Sequence, residues 1–308
     1  MNEKEIKEGS VFKRPLWVAF FALTAAVAWG WAYPLIKLGF EEFAISGDMT
    51  GAKMLFAGVR FSVAGAIVLL LAWAKGCRFA VAGAPGVAYL LLFALLNTTL
   101  HYAFFYIGLS NSAGARAAIL NSLGVFMLVL LACVFYKSDR LTMRKVVGCV
   151  MGFAGILLLN VGGGESGAFT FAGDGMIILN ALCAALAGLM TRGLGKRADV
   201  FVATGYSLAA GGVMLAAIGL AMGGALPVVT LKGCVILLLL VLISSLCFTL
   251  YNKLLTCNPV GKVAIFNSLI PVVGAGASCL CLGEVFYGSY IVAALLAMGG
   301  IYIINRDK

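Results

Sequence analysis

The chain alternates between long apolar blocks and short polar segments that hold nearly all of its charges. A helix needs about 20 residues to cross a bilayer, and only helices and closed barrels can satisfy their backbone in lipid. The pattern therefore predicts an all-α membrane protein with ten transmembrane helices. The predicted spans are residues 15–36, 54–74, 86–107, 117–136, 146–161, 175–191, 200–223, 233–252, 263–283 and 287–305.

The composition agrees with a bilayer as the solvent. The chain is 63% hydrophobic and 11% charged, whereas a soluble domain has about a quarter of its residues charged. The net charge of +10 would suit nucleic acid, but the basic residues flank the apolar blocks, which is typical of membrane orientation. The nine cysteines form no CxxC motif and are expected to be small apolar residues within helices, so we predict no metal, no cofactor and no nucleic-acid partner.

The distribution of Lys and Arg predicts the orientation. With the N-terminus in the cytoplasm, 17 of the 22 basic residues lie on the cytoplasmic side and only Lys37, Lys53, Arg116 and Lys232 lie outside. This bias places both termini in the cytoplasm of a multi-pass protein in a cell inner (plasma) membrane. In this assignment Arg60 is the only fully charged residue inside a span, and no Asp or Glu lies in one. The first block, which begins at Pro15, is too long for a cleaved signal peptide and is expected to remain as the first span.

The two halves of the chain repeat each other. Residues 96–137 align without a gap on residues 242–283 at a constant offset of 146, with AILNSL at 118–123 facing AIFNSL at 264–269. Each half has five predicted spans, and an odd number means that the second half is inverted in the membrane. Inverted repeats are typical of carriers that bind substrate near the bilayer midplane.

The repeat also predicts the organisation of the chain. A Gly-rich stretch at 162–167 separates the halves and lacks the Lys-Ser/Thr pair of a phosphate-binding loop. The predicted units are a cytoplasmic tail at 1–14, a first five-helix repeat at 15–161, an outer linker at 162–172 and a second five-helix repeat at 173–308.

Several motifs of this chain resemble the EamA-type branch of the drug/metabolite transporter superfamily. They are Trp29-Gly30 followed by Lys37, then Arg60-Phe61, Pro271, and Leu282-Gly283-Glu284. The resemblance covers two units at about 17–160 and 173–305, and it implies the export or exchange of amino acids, their derivatives, nucleotide precursors, sugars or drugs. The first half departs from the family pattern, because 121–125 lacks a proline and 136–139 replaces the Leu-Gly-Glu motif.

Polar residues within the spans are candidates for a substrate cavity. Arg60 suits a carboxylate or phosphate, although it could instead anchor on backbone carbonyls. His101 is the sole histidine and is either a proton-coupling group or a hydrogen-bonded interior residue, while buried amides bind polar ligands or hold helices together. The candidate substrate-binding residues are Trp29, Tyr33, Arg60, Asn97, His101, Tyr102, Asn121, Asn180, Ser244 and Asn267. Pro271 is the candidate hinge.

These observations predict a transporter rather than an enzyme. The chain has no GxSxG, no HExxH and no acidic pair for a metal. We expect an exporter or exchanger of small polar metabolites, such as amino acids or related compounds, that works by alternating access. The alternatives are a membrane-embedded enzyme and a non-transporting membrane subunit.

The predicted partners are a small-molecule substrate and the lipid bilayer. Small residues at Gly148-xxx-Gly152 and at Ala293-xxx-Ala297 predict close helix packing. That packing could join the two halves or two molecules, so both a monomer and a homodimer remain open.

Overall fold

A computed structural model describes residues 11–136, 140–161, 168–258, 263 and 265–305, and most of these residues lie in helices, with no strand among them. A π-helical turn, Phe171–Gly175, precedes the helix that begins at Met176, and a 3-10 turn, Ile265–Leu269, precedes the helix that begins at Ile270. The helices are α1 Pro15–Glu42, α2 Thr50–Ala74, α3 Gly83–Ser110, α4 Gly114–Phe135, α5 Met143–Val161, α6 Met176–Leu194, α7 Val200–Ala221, α8 Leu231–Cys257, α9 Ile270–Leu282 and α10 Gly288–Asn305.

Seven segments in the described part of the chain are long and apolar enough to cross a membrane. They belong to α1, α2, α3, α4, α6, α7 and α8, and shorter apolar helices follow in α9 and α10. The protein is therefore a helical, multi-pass membrane protein, as the sequence predicts. Each predicted span coincides with a helix, whereas the count of ten crossings stays a prediction. The Gly-rich stretch at 162–167 lies outside the described residues.

Local signals explain where several helices begin and end. Pro15 occupies the first turn of α1, where a missing N–H has no cost. The Asp199 carboxylate accepts from the Phe201 N–H at 2.8 Å and caps α7, and Thr230 caps α8 in the same way. Gly76, with φ +71°, follows α2 in the left-handed region that suits glycine.

The helices of the two halves pack against each other throughout the molecule. The most extensive contacts join α2 to α7 and α5 to α10, while α1 packs on α8 and α9, and α6 packs on α3 and α4. Glycines bring these backbones together: a Cβ on Gly148 of α5 would lie 2.6 Å from the Gly300 oxygen of α10. The Gly148 face therefore joins the two halves within one molecule.

Candidate substrate site

Arg60 lies buried in the middle of α2, with 2% of its surface exposed. Its Nε donates to the Leu240 carbonyl oxygen at 3.2 Å and to the Ser244 hydroxyl at 3.0 Å, and its Nη1 donates to the Tyr106 hydroxyl at 3.0 Å. The guanidinium carbon lies 4.8 Å from the centre of the Phe61 ring. Among the described residues no carboxylate pairs with Arg60, and its Nη2 has no hydrogen-bond partner. The side chain is thus anchored, but its charge is not neutralised there.

A chain of hydrogen bonds crosses α1, α4 and α6 at a similar depth. The Asn121 side-chain amide donates to the Tyr33 hydroxyl at 2.8 Å, and the Asn180 amide donates to the Asn121 oxygen at 2.6 Å. The Asn180 Oδ1 and the His101 Nδ1 are buried and lack a partner within the described part of the chain. Because a buried polar atom without a partner is costly, these two atoms suit a polar ligand.

Aromatic rings connect these hydrogen-bonded residues to Arg60. Tyr102 lies against the Phe61 ring, with 4.0 Å between centroids, and against the His101 ring at 4.4 Å. The Tyr33 ring meets Phe105 edge-on at 5.3 Å. The structure therefore brings seven predicted residues together, and we call them the central cluster. Its members are Tyr33, Arg60, His101, Tyr102, Asn121, Asn180 and Ser244.

A π-helical stretch of α3, Leu95–Leu100, ends where His101 begins. Such stretches insert an extra residue into a helix and often occur at functional sites, but apolar periodicity gives no signal for them. Within it, the Asn97 amide donates to the Ser207 hydroxyl of α7 at 3.2 Å. Asn97 thus joins α3 to α7, in a contact separate from the central cluster.

Trp29 and Asn267 belong to a second group, between α1, α8 and the turn before α9. The Trp29 ring meets Tyr251 edge-on at 5.2 Å and Phe248 at 5.5 Å. The Asn267 amide donates to the Tyr251 hydroxyl at 2.7 Å, while its Oδ1 is buried without a partner. With the N-terminus inside, this group lies nearer the cytoplasm than the central cluster.

The position of Pro271 differs from the expected one. It lies in the first turn of α9, just after the 3-10 turn, and not deep within a continuous helix. A proline there neither removes a helical hydrogen bond nor clashes with a preceding turn. Any bending would therefore occur at the junction before Pro271.

Several charged residues predicted to lie outside the spans fall within helical segments, including Glu41 and Glu42 at the end of α1 and Lys232 in the first turn of α8. Lys37 lies in α1, Lys53 in α2 and Arg116 in α4, while Asp174 lies within the apolar segment Phe171–Thr191. Arg60 is therefore not the only charged residue inside a span, and a carboxylate does lie in one. The helices extend past these residues because their charges find partners, which lowers the cost of burial.

Arg116 and Asp174 are the clearest case. The Arg116 Nε donates to one Asp174 oxygen at 2.8 Å and its Nη2 to the other at 2.9 Å, and both side chains are at most 4% exposed. The Thr170 hydroxyl caps the same turn by accepting from the Gly173 N–H at 3.2 Å. Thr170 is the signal in the sequence that predicts an earlier helix start.

Two surface pockets lie away from the central cluster. One is apolar and lies on α2 and the following loop, beside Leu69, Trp73 and Phe79. The other lies at the N-terminal end of α2, beside Asp48 and Gly223.

Known proteins resemble this chain over nearly its whole length. "Uncharacterized transporter YvbV" of Bacillus subtilis (strain 168) is 26% identical over 292 residues, covering 92% of this chain and 89% of the relative. "Probable amino-acid metabolite efflux pump" of Salmonella typhimurium is 25% identical over 296 residues, covering 92% and 93%. A solved structure titled "Crystal structure of protein" matches with a TM-score of 0.68 at 18% identity, covering 93% and 96%, and it supports the fold alone.

A family model matches both halves of the chain. The family described as "EamA-like transporter family" covers residues 16–161 and again residues 171–306. These two ranges leave out only the ends and a short stretch between the halves. The chain therefore belongs to the EamA-like transporter family.

Proposed function

We propose that this protein exports or exchanges small polar metabolites with an anionic group, such as amino acids or related compounds, across a cell inner membrane with both termini in the cytoplasm. Ten spans in two inverted repeats would provide alternating access. The observation that carries the proposal is Arg60, a buried cation without a carboxylate partner among the described residues. A substrate anion would offset the cost of burying that charge.

Glycine contacts support a two-fold relation between the halves. A Cβ on Gly58 would lie 2.4 Å from the Ala216 nitrogen, and a Cβ on Gly205 would lie 2.7 Å from the Leu69 side chain. Gly205 follows Gly58 by 147 positions, and Ala216 follows Leu69 by the same 147. A shift of 147 positions between the halves therefore converts one contact into the other, as expected if a two-fold axis relates the two halves.

Hydrogen bonds follow the same relation. The Ser245 hydroxyl donates to the Ala64 carbonyl at 3.3 Å, and the Thr99 hydroxyl donates to the Gly211 carbonyl at 3.1 Å. Gly211 lies 147 positions after Ala64, and Ser245 lies 146 after Thr99. Because each half has an odd number of helices, such an axis would lie in the membrane plane.

The repeat relation also supports one of the two interpretations of Arg60. Arg60 bonds Ser244 at 3.0 Å, and the equivalent contact in the other half joins Ser207 to Thr98 at 3.4 Å. Ser207 follows Arg60 by 147 positions, so a serine is sufficient to make this interhelical contact. The charge of Arg60 is therefore additional to the shared packing, which favours a ligand role over a structural one.

Two groups of the central cluster suit a zwitterion. The guanidinium offers donors to a carboxylate, while the buried Asn180 Oδ1 offers an acceptor to an ammonium group. The Salmonella relative carries the name of an amino-acid metabolite efflux pump. Both observations favour amino acids and their derivatives over sugars.

The test is counterflow in proteoliposomes with labelled amino acids, sugar phosphates and nucleosides. We expect Arg60→Met to lower counterflow of carboxylate substrates by about a hundredfold, the effect of losing roughly 2.7 kcal/mol, and Arg60→Lys to lower it less. Ser207→Ala is the matched control and should retain transport. Unchanged counterflow of every anionic substrate in Arg60→Met would contradict the proposal, and chemical change of a substrate without net movement would favour an enzyme.

A further inference from the structure

Three elements meet at Glu284 on the outer side of the molecule. Glu284 follows Gly283, whose φ of +62° turns the chain after α9. Its carboxylate accepts from the Gly114 N–H at 2.7 Å and the Ala115 N–H at 3.0 Å, and from the Lys37 Nζ at 3.0 Å. The first two donors are the free amides of the N-terminus of α4, and Lys37 belongs to α1. One carboxylate therefore ties α1, α4 and the end of α9 together.

The packing below this contact is tight. A Cβ on Gly114 would lie 2.6 Å from the Ser278 hydroxyl of α9, so α4 and α9 meet without space for a side chain. The Ser278 oxygen is fully buried and has no partner among the described residues. The outer surface is thus closed between α4 and α9.

Charged groups close to this contact are shielded as well. Lys53 and Arg116, toward the N-terminal ends of α2 and α4, are at most 3% exposed.

We propose that Glu284 is the latch of an outer gate, and this inference rests on the alternating access proposed above. Its carboxylate neutralises the positive N-terminus of α4 and the Lys37 ammonium while the outer side is closed. Opening that side moves α9 away from α1 and α4, so the carboxylate leaves both donors. The N-terminus of α4 contributes two of the three bonds, and the latch therefore differs from a simple Lys–Glu pair.

The latch can be tested without a substrate. The reporter is Ser278→Cys in the full chain with Cys234, Cys279 and Cys281 replaced by alanine, labelled from outside with a membrane-impermeant maleimide. Glu284→Gln should raise the labelling rate by about tenfold, because the neutral amide no longer holds the closed state. Lys37→Gln removes one donor and should raise it less. Glu41→Gln, a change of the same kind at the exposed outer end of α1, is the matched control and should leave it unchanged.

A charge exchange separates the latch from an ordinary ion pair. In Lys37→Glu/Glu284→Lys the two side chains could still pair, but lysine would face the positive end of α4. We expect labelling to stay as fast as in Glu284→Gln. A return to the parental rate, or an unchanged rate in both Glu284→Gln and Lys37→Gln, would overturn the proposal. Because labelling needs no transport, its result is independent of the Arg60 experiment.

Discussion

The buried pair of Arg116 and Asp174 gives a prediction for stability. Asp174→Asn removes a carboxylate whose two oxygens accept from Arg116 at 2.8 and 2.9 Å, and it leaves the arginine charge in a site that is 4% exposed. Breaking a buried pair costs about 3–5 kcal/mol, whereas an exposed pair contributes about 0–1 kcal/mol. Arg116 has other contacts as well, so we expect a loss of about 3 kcal/mol.

The assay is equilibrium unfolding of the purified protein in mixed micelles with increasing SDS. Asp48→Asn is the matched control, because Asp48 is an exposed acid in the loop before α2. The Ser46 hydroxyl donates to its carboxylate and holds the pKa of Asp48 below its usual range. That contact is exposed to water, and its loss should cost less than about 1 kcal/mol.

A double variant tests the reason for the loss. Arg116→Met/Asp174→Leu removes both charges, and replacing a buried ion pair with apolar side chains is often neutral. We expect the double variant to be more stable than Asp174→Asn alone. A single variant within about 1 kcal/mol of the parent would show that the pair is not effectively buried. A double variant as unstable as the single one would show that the loss does not come from an uncompensated charge.

Two further predictions concern helix packing. A Cβ at Gly65 would lie 2.2 Å from the Ala209 nitrogen. Gly65→Val should therefore push α2 away from α7 and lower the free energy of unfolding by about 3 kcal/mol in the same assay. Gly47→Ala, at an open position, is the control and should have no effect. Asn121→Ala leaves the Tyr33 hydroxyl and the Asn180 amide without their bonds and should cost about 2 kcal/mol; an unchanged unfolding midpoint would contradict that network.

The sequence predicts the position of every helix described here because the apolar blocks are long and distinct. It underestimates the length of three helices at one end, where Lys37, Lys53 and Arg116 resemble loop residues when each is considered alone. Hydropathy assigns every charge the cost of an unpaired one. The π-helical turn that contains Asp174 therefore extends the helical segment before α6 beyond what its apolar pattern suggests.

The candidate site is predicted in part for a related reason. Polarity inside a span identifies Tyr33, Asn121 and Asn180, which do form one hydrogen-bonded chain. It does not reveal which neighbour each helix face meets, and so Trp29 and Asn97 are found in other contacts. The contacts of each side chain depend on residues from helices that are distant in the sequence, and neither spacing nor composition predicts which helices those are.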